Sequence, residues 1–109
     1  MVNDPSQPVR NQTGLTDVEI GQLATVLSHY PQVQQGVLFG SRAKGTARPN
    51  SDIDIALYGD LDDLTVERIA FELDNLPLPY LLDIKAVATL KNATLIDHIQ
   101  RVGVKIYPE

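Results

Sequence analysis

The stretch Val37-Leu38-Phe39-Gly40-Ser41-Arg42-Ala43-Lys44-Gly45-Thr46-Ala47-Arg48-Pro49-Asn50-Ser51-Asp52-Ile53-Asp54-Ile55-Ala56-Leu57 decides how the chain reads. It opens on the apolar run Val37-Leu38-Phe39, stopped by Gly40 and too brief for a helix, which predicts a buried strand running into a glycine loop. Ser41 to Lys44 leaves room for one helical turn closed by Gly45, and Ala47-Arg48-Pro49-Asn50 carries turn chemistry. Strict alternation follows from Asp52 to Leu57. Ile53, Ile55 and Leu57 fall on one face and Asp52, Asp54 and Ala56 on the other, as a half-buried strand requires. The two carboxylates are then neighbours, about 6.6 Å apart along the strand.

Working outward, Thr16-Asp17-Val18-Glu19 is a capping box, and Ile20, Leu23, Ala24 and Leu27 at helical spacing predict a helix from about Asp17 to Tyr30, ended by Pro31. Residues 1 to about 14 hold two prolines, several amides and no apolar periodicity, which predicts a flexible leader ahead of a single domain over 15–109. Beyond the central stretch, Asp60 to Asp63 supplies capping groups for a helix over about Leu64 to Asn75, with Val66, Ile69, Ala70 and Leu73 as its apolar stripe. Leu76-Pro77-Leu78-Pro79 breaks it. Tyr80 to Val87 is a strand candidate, and Asn92 caps a last helix through Leu95, Ile96 and Ile99 that ends at Gly103 before an edge strand over Val104 to Tyr107. The alternation of helices and strands, without internal repeat, predicts a small α/β or α+β sandwich.

Composition bounds the rest. A chain of 109 residues sets one compact domain as the expectation, and 43% hydrophobic with 21% charged residues is ordinary globular usage. Without cysteine there is no disulfide framework, no thiolate nucleophile and no cysteine-ligated zinc, which fits a reducing compartment. No apolar run approaches the roughly 20 residues of a membrane span, and the first residues lack the order of a signal peptide, so a soluble cytoplasmic protein without membrane contact is expected. The net charge of −5 argues against nucleic-acid binding by bulk electrostatics, and no direct DNA binding is expected. The charge is uneven: Arg42, Lys44 and Arg48 sit without an acid among them immediately before Asp52 and Asp54, a juxtaposition that suits a metal-bound polyphosphate.

Three features ask for one explanation. A glycine at a strand end lets backbone approach a ligand, and the Ser41 amide and hydroxyl can hold phosphate oxygens, although Gly-Ser is also an ordinary turn. Asp52 and Asp54 can converge on one hard, oxygen-seeking cation such as magnesium, although a solvated edge strand is the commoner explanation of an isolated pair. Asp83, between Leu82 and Ile84 in a run expected to be buried, needs a cation, a metal, or a partner such as Lys85 or Arg68. Arg42 and Lys44 divide evenly between ligands and solvated surface side chains. His29 and His98 have no matching ligand at metal spacing and are expected to be structural or exposed.

Gly40-Ser41-Arg42-Ala43-Lys44-Gly45, followed by Ser51-Asp52-Ile53-Asp54, resembles the G-S-x-x-x-G and S-D-h-D signature (h apolar) of the DNA polymerase β-like nucleotidyltransferases. The chain is most similar to the minimal nucleotidyltransferases, or MNT proteins, made beside a helical HEPN-domain partner, and the likeness runs from about Asp17 to Tyr107. It implies an α+β fold with a small mixed β-sheet and packed helices. It implies transfer of AMP from ATP to a hydroxyl, with Asp52, Asp54 and Asp83 as catalytic carboxylates and ligands of two magnesium ions, manganese being an alternative. The matching nucleotide-binding positions are Gly40, Ser41, Arg42, Lys44, Gly45 and Ser51. Within the family the acceptor implied is a tyrosine of a HEPN toxin, which makes the protein an antitoxin acting by AMPylation. Nothing after the catalytic core would build an acceptor domain, so the partner is expected to be subunit and substrate at once. Two other readings stand beside this one: an antitoxin that neutralises by binding alone, and a catalytic subunit modifying a small molecule or RNA held by a HEPN-like partner.

Overall fold

The computed structural model describes residues 13–108. The first helix starts where local chemistry dictates: the Thr16 hydroxyl accepts the Glu19 N–H at 3.1 Å while the Glu19 carboxylate accepts the Thr16 N–H at 2.9 Å. This reciprocal box opens α1, Asp17–Ser28, which buries Ile20, Leu23, Ala24, Val26 and Leu27. The helix stops at Ser28, two residues before the expected end, because Pro31 disfavours helical backbone in the residue before it.

β1 spans Val33–Phe39 and is longer than the apolar run that announces it. Gln34 and Gln35 are exposed, so the strand's first half carries no hydrophobic pattern and forms because it pairs with β2, Ile53–Gly59. Between them lies the one-turn helix α2, Ser41–Lys44, closed by Gly45 in the left-handed conformation. Asp62 caps α3, Asp63–Asp74, its side chain accepting the Thr65 N–H at 2.8 Å. β3 is Leu82–Ala86, shorter at both ends than expected, and a 3-10 turn, Val87–Thr89, follows it. Asn92 accepts the Thr94 and Leu95 N–H groups to open α4, Ala93–Val102, and β4, Val104–Tyr107, closes the chain.

The fold is α+β with a mixed sheet in the order β3-β2-β1-β4. β1 pairs antiparallel with β2 and with β4, and β2 pairs parallel with β3 across the α3 crossover. Ile53, Ile55 and Leu57 are fully buried with Leu38 against α1 and α3, whose Leu23, Leu27, Ile69 and Leu73 complete the larger core. The opposite face is covered in part: Val37, Phe39 and Ala56 pack with Ile99 of α4 in a smaller cluster. Glu72 fastens α3 to the end of α1 by accepting the Tyr30 hydroxyl at 2.7 Å and pairing with His29 Nδ1 at 2.6 Å, so His29 has a structural role.

Gly103 ends α4 as expected, but for another reason. Its φ of −58° is open to any residue; a Cβ there would overlap the Ile99 carbonyl and the Val37 side chain, so the site demands smallness rather than left-handed backbone.

Ile55 lies in the central pair β1-β2 at 0% exposure. Truncation to alanine is expected to cost about 2–5 kcal/mol and I55V about 1 kcal/mol, read as shifts of the urea midpoint at unchanged slope.

Candidate active site

The alternation of β2 sends Asp54 to the face covered by α4, and the register of the sheet decides what stands next to it. Asp54 is aligned with Phe39 on the antiparallel side and with Asp83 on the parallel side. Asp52, exposed, immediately precedes β2. Of the three carboxylates predicted to act together, Asp54 and Asp83 thus belong to two adjacent strands and Asp52 to the residue that leads into one of them.

Their electrostatics agree. Burial pushes the half-buried Asp54 carboxyl above the usual carboxylate range, and the neighbouring Asp83 and Asp52 charges push it further, against a smaller opposing effect of Lys85. Three oxygen donors that repel one another suit a hard divalent cation in kind. Among the described residues, no three such side chains converge closely enough to form a ready-made metal cage.

Asp83 differs from expectation in one respect. It is exposed, because β3 is the edge of the sheet rather than an inner strand, so burial does not force a cation upon it. Lys85, two residues on and on the same face, stands 3.6 Å away, the ordinary partner that the sequence allowed for. Its alignment with Asp54 is what ties it to the site.

Gly40 joins β1 to α2 with φ 73° and ψ −150°, a combination essentially confined to glycine. A Cβ there would overlap the Asp54 carboxylate, so the loop crosses directly over that group. The Ser41 carbonyl accepts the Gly45 and Thr46 N–H groups, which rounds the turn, and Lys44 is exposed beside it.

Arg42 corrects the expectation of a solvated surface cation. It is 1% exposed. Nη1 donates to the Thr13 carbonyl at 2.8 Å, Nη2 to the Ser51 carbonyl at 2.7 Å, and the guanidinium stacks 4.6 Å from the centre of the Tyr80 ring. Thr13, counted in the leader by composition, is buried; residues 1–12 lie outside the described residues. Ser51 serves the same loop, its hydroxyl accepting the Arg48 N–H at 2.8 Å. The structure thus brings Gly40, Ser41, Asp52, Asp54 and Asp83 together, sets Lys44 and Gly45 at their margin, and places Arg42 and Ser51 in the scaffold behind them.

His98, expected to be structural or exposed, is half-buried and reaches the loop of the site. Its Nε2 accepts the Gly40 N–H at 3.0 Å, and its ring stands edge-on to Phe39. The available signal was helical periodicity: His98 lies three residues after Leu95 and beside Ile99, at the flank of the sheet-facing stripe.

Comparison with known proteins adds to this geometry. The family model described as polymerase beta, nucleotidyltransferase matches residues 21–109. No curated protein matches. A toxin-antitoxin crystallised with AMP-PNP is similar at 27% identity and a TM-score of 0.66, over 85% of this chain and 73% of that one. The toxin-antitoxin MntA-HepT is similar at 22% identity and a TM-score of 0.65, over 84% and 72% of the respective chains. A tri-AMPylated HEPN toxin of Shewanella oneidensis in complex with MNT antitoxin matches at 20% identity and a TM-score of 0.65, over 85% and 72%. The last two likenesses are of fold.

Two outcomes follow from the site. R42A is expected to lower stability by about 2 kcal/mol or more, leaving the Thr13 and Ser51 carbonyls without their donors, and R42K to recover only part, as a single ammonium cannot both bridge them and stack; chemical denaturation reads both. For Asp54, the raised folded-state pKa means a stability contribution that is full below the ordinary carboxylate value and lost as pH rises through the raised one. In a divalent-free buffer D54N is therefore expected to be more stable than the native protein at pH 7, the difference closing below about pH 4, as thermal melts across pH would show.

Proposed function

The chain belongs to the polymerase beta nucleotidyltransferase family, and on that premise we propose that it moves AMP from ATP to a hydroxyl, the acceptor being a tyrosine of a HEPN toxin that it neutralises as antitoxin. The observation that carries the reading is the alignment of Asp54 with Asp83 on adjacent strands, beneath a glycine loop that passes over the Asp54 carboxylate. Support for the nucleotide comes from the similar toxin-antitoxin solved with AMP-PNP, and support for the partner from the MNT and HEPN complexes that share the fold.

In the proposed reaction the acceptor oxygen forms a bond to the α-phosphorus, the bond from that phosphorus to the bridging oxygen breaks, and pyrophosphate leaves. Gly40 and Ser41 present backbone and hydroxyl to the terminal phosphates, and the exposed Lys44 adds positive charge there. Asp83, solvent-accessible at the sheet edge, takes the proton of the acceptor hydroxyl. Asp52, Asp54 and Asp83 would hold the two divalent ions, magnesium in the first instance. When bound, such ions neutralise the triphosphate and lower the cost of deprotonating the hydroxyl. Arg42 takes no part in the chemistry; it holds Ser51, and with it the start of β2, against the loop.

Incubation with α-labelled ATP, magnesium and the HEPN-domain partner tests the proposal. Label is expected on the partner with the native protein and at background with the D52N/D54N double variant, which still forms the complex. Full neutralisation of the toxin by that variant would instead favour an antitoxin that acts by binding, and label on a small molecule or RNA would replace the tyrosine acceptor.

A further inference from the structure

We infer that His98 is a positioning residue for the Gly40-Ser41 loop, acting through the Gly40 amide; the inference rests on the nucleotidyltransferase reading of that loop. Gly40 is held from two sides. The Asp54 carboxylate fills the space in which a Cβ would stand, and from α4 the His98 Nε2 accepts the Gly40 N–H at 3.0 Å. β1 ends at Phe39, whose partner across the sheet is Asp54. The Gly40 N–H is therefore the first amide past the strand end, and its partner is a side chain.

The imidazole is in turn held by what surrounds it. Its ring meets Phe39 edge-on, with centroids 6.4 Å apart and planes at 80°, and the next residue, Ile99, is 2% exposed in the small cluster with Val37, Phe39 and Ala56. One packed unit thus fixes both the ring and the peptide that the ring grips. Burial alone does not call for histidine here, since leucine would cover Phe39 as well. What leucine lacks is an acceptor at the reach of Nε2. Glutamine has one, its Oε1 standing near the place of that nitrogen.

Rotation of the Phe39-Gly40 peptide decides whether the loop clears Asp54 and where Ser41 begins. Without its acceptor that N–H loses its partner and the peptide turns more freely, so nucleotide must order the loop on binding. The loss belongs in nucleotide affinity rather than in the chemical step.

The test compares native protein, H98L and H98Q by titration with magnesium and a non-hydrolysable ATP analogue, by labelling kinetics with the HEPN-domain partner, and by the amide resonance of Gly40 in 15N-labelled protein. H98L is expected to weaken analogue binding about tenfold, equivalent to about 1.4 kcal/mol, and to raise KM for ATP with little change in kcat. The Gly40 amide resonance moves in H98L, and H98Q restores both resonance and affinity in large part. Binding unaltered in H98L, or lost equally in H98L and H98Q while both melt as the native protein does, overturns the role of His98. Absence of analogue binding by the native protein overturns the nucleotidyltransferase reading, and this inference with it.

Discussion

A guanidinium taken out of water has to spend its donors inside the protein, and Arg42 spends two of them on carbonyls 29 residues before it and 9 residues after it. The two halves of the signature, the Gly40-Ser41 loop and Ser51-Asp52-Ile53-Asp54, are joined covalently by a long turn with little packing of its own: Lys44, Gly45, Thr46, Arg48, Pro49 and Asn50 are all exposed. Arg42 shortens that connection to a single side chain. Stacking on Tyr80 adds the segment just before β3, so Arg42 ties its own loop to two other stretches from which the site is assembled. The planar fork of the guanidinium thus faces the scaffold.

What the sequence announced, and what it withheld, divides along the range of the forces involved. The capping box at Thr16, the caps at Asp62 and Asn92 and the alternation of Ile53, Ile55 and Leu57 are local, and each was readable where it stands. The signature gave the loop, the aspartates and the family. The polar half of β1 was hidden, because Gln34 and Gln35 are strand residues only by virtue of β2. The burial of Arg42 depends on Thr13 and Tyr80, and the role of His98 on a bond spanning 58 residues. Asp83 was placed in the right strand for a reason that does not hold: the strand is an edge, and the run Leu81 to Ile84 is apolar on one face while the other meets solvent.

The site is held at some cost to the fold around it. Asp54 is kept half-buried between two other carboxylates, an arrangement that disfavours its charged form and that a stability-driven sequence would replace. The large core under α1 and α3, with Ile53, Ile55, Leu57, Leu23 and Leu27 wholly or almost wholly buried, lies on the far side of the sheet. The carboxylate repulsion therefore lies on the face covered only in part by α4, while cohesion comes from the opposite one. β2 serves both, through its two sets of alternating residues.

The parallel register of β2 with β3 makes the meeting of Asp54 with Asp83 a matter of odd and even rather than of distance along the chain. Side chains of a strand change face at every residue, so a shift of β3 by one position would turn Asp83 toward α1 and α3 and bring Leu82 or Ile84 to the carboxylates. A change of length in the connection ahead of β3 can be absorbed, provided that Tyr80 keeps its place on Arg42 and the strand re-enters with the same parity. Within Leu82–Ala86 a single insertion or deletion has no such remedy. Length variation in this region should therefore accumulate ahead of the strand and stop at its edge, a boundary set by the pleat itself.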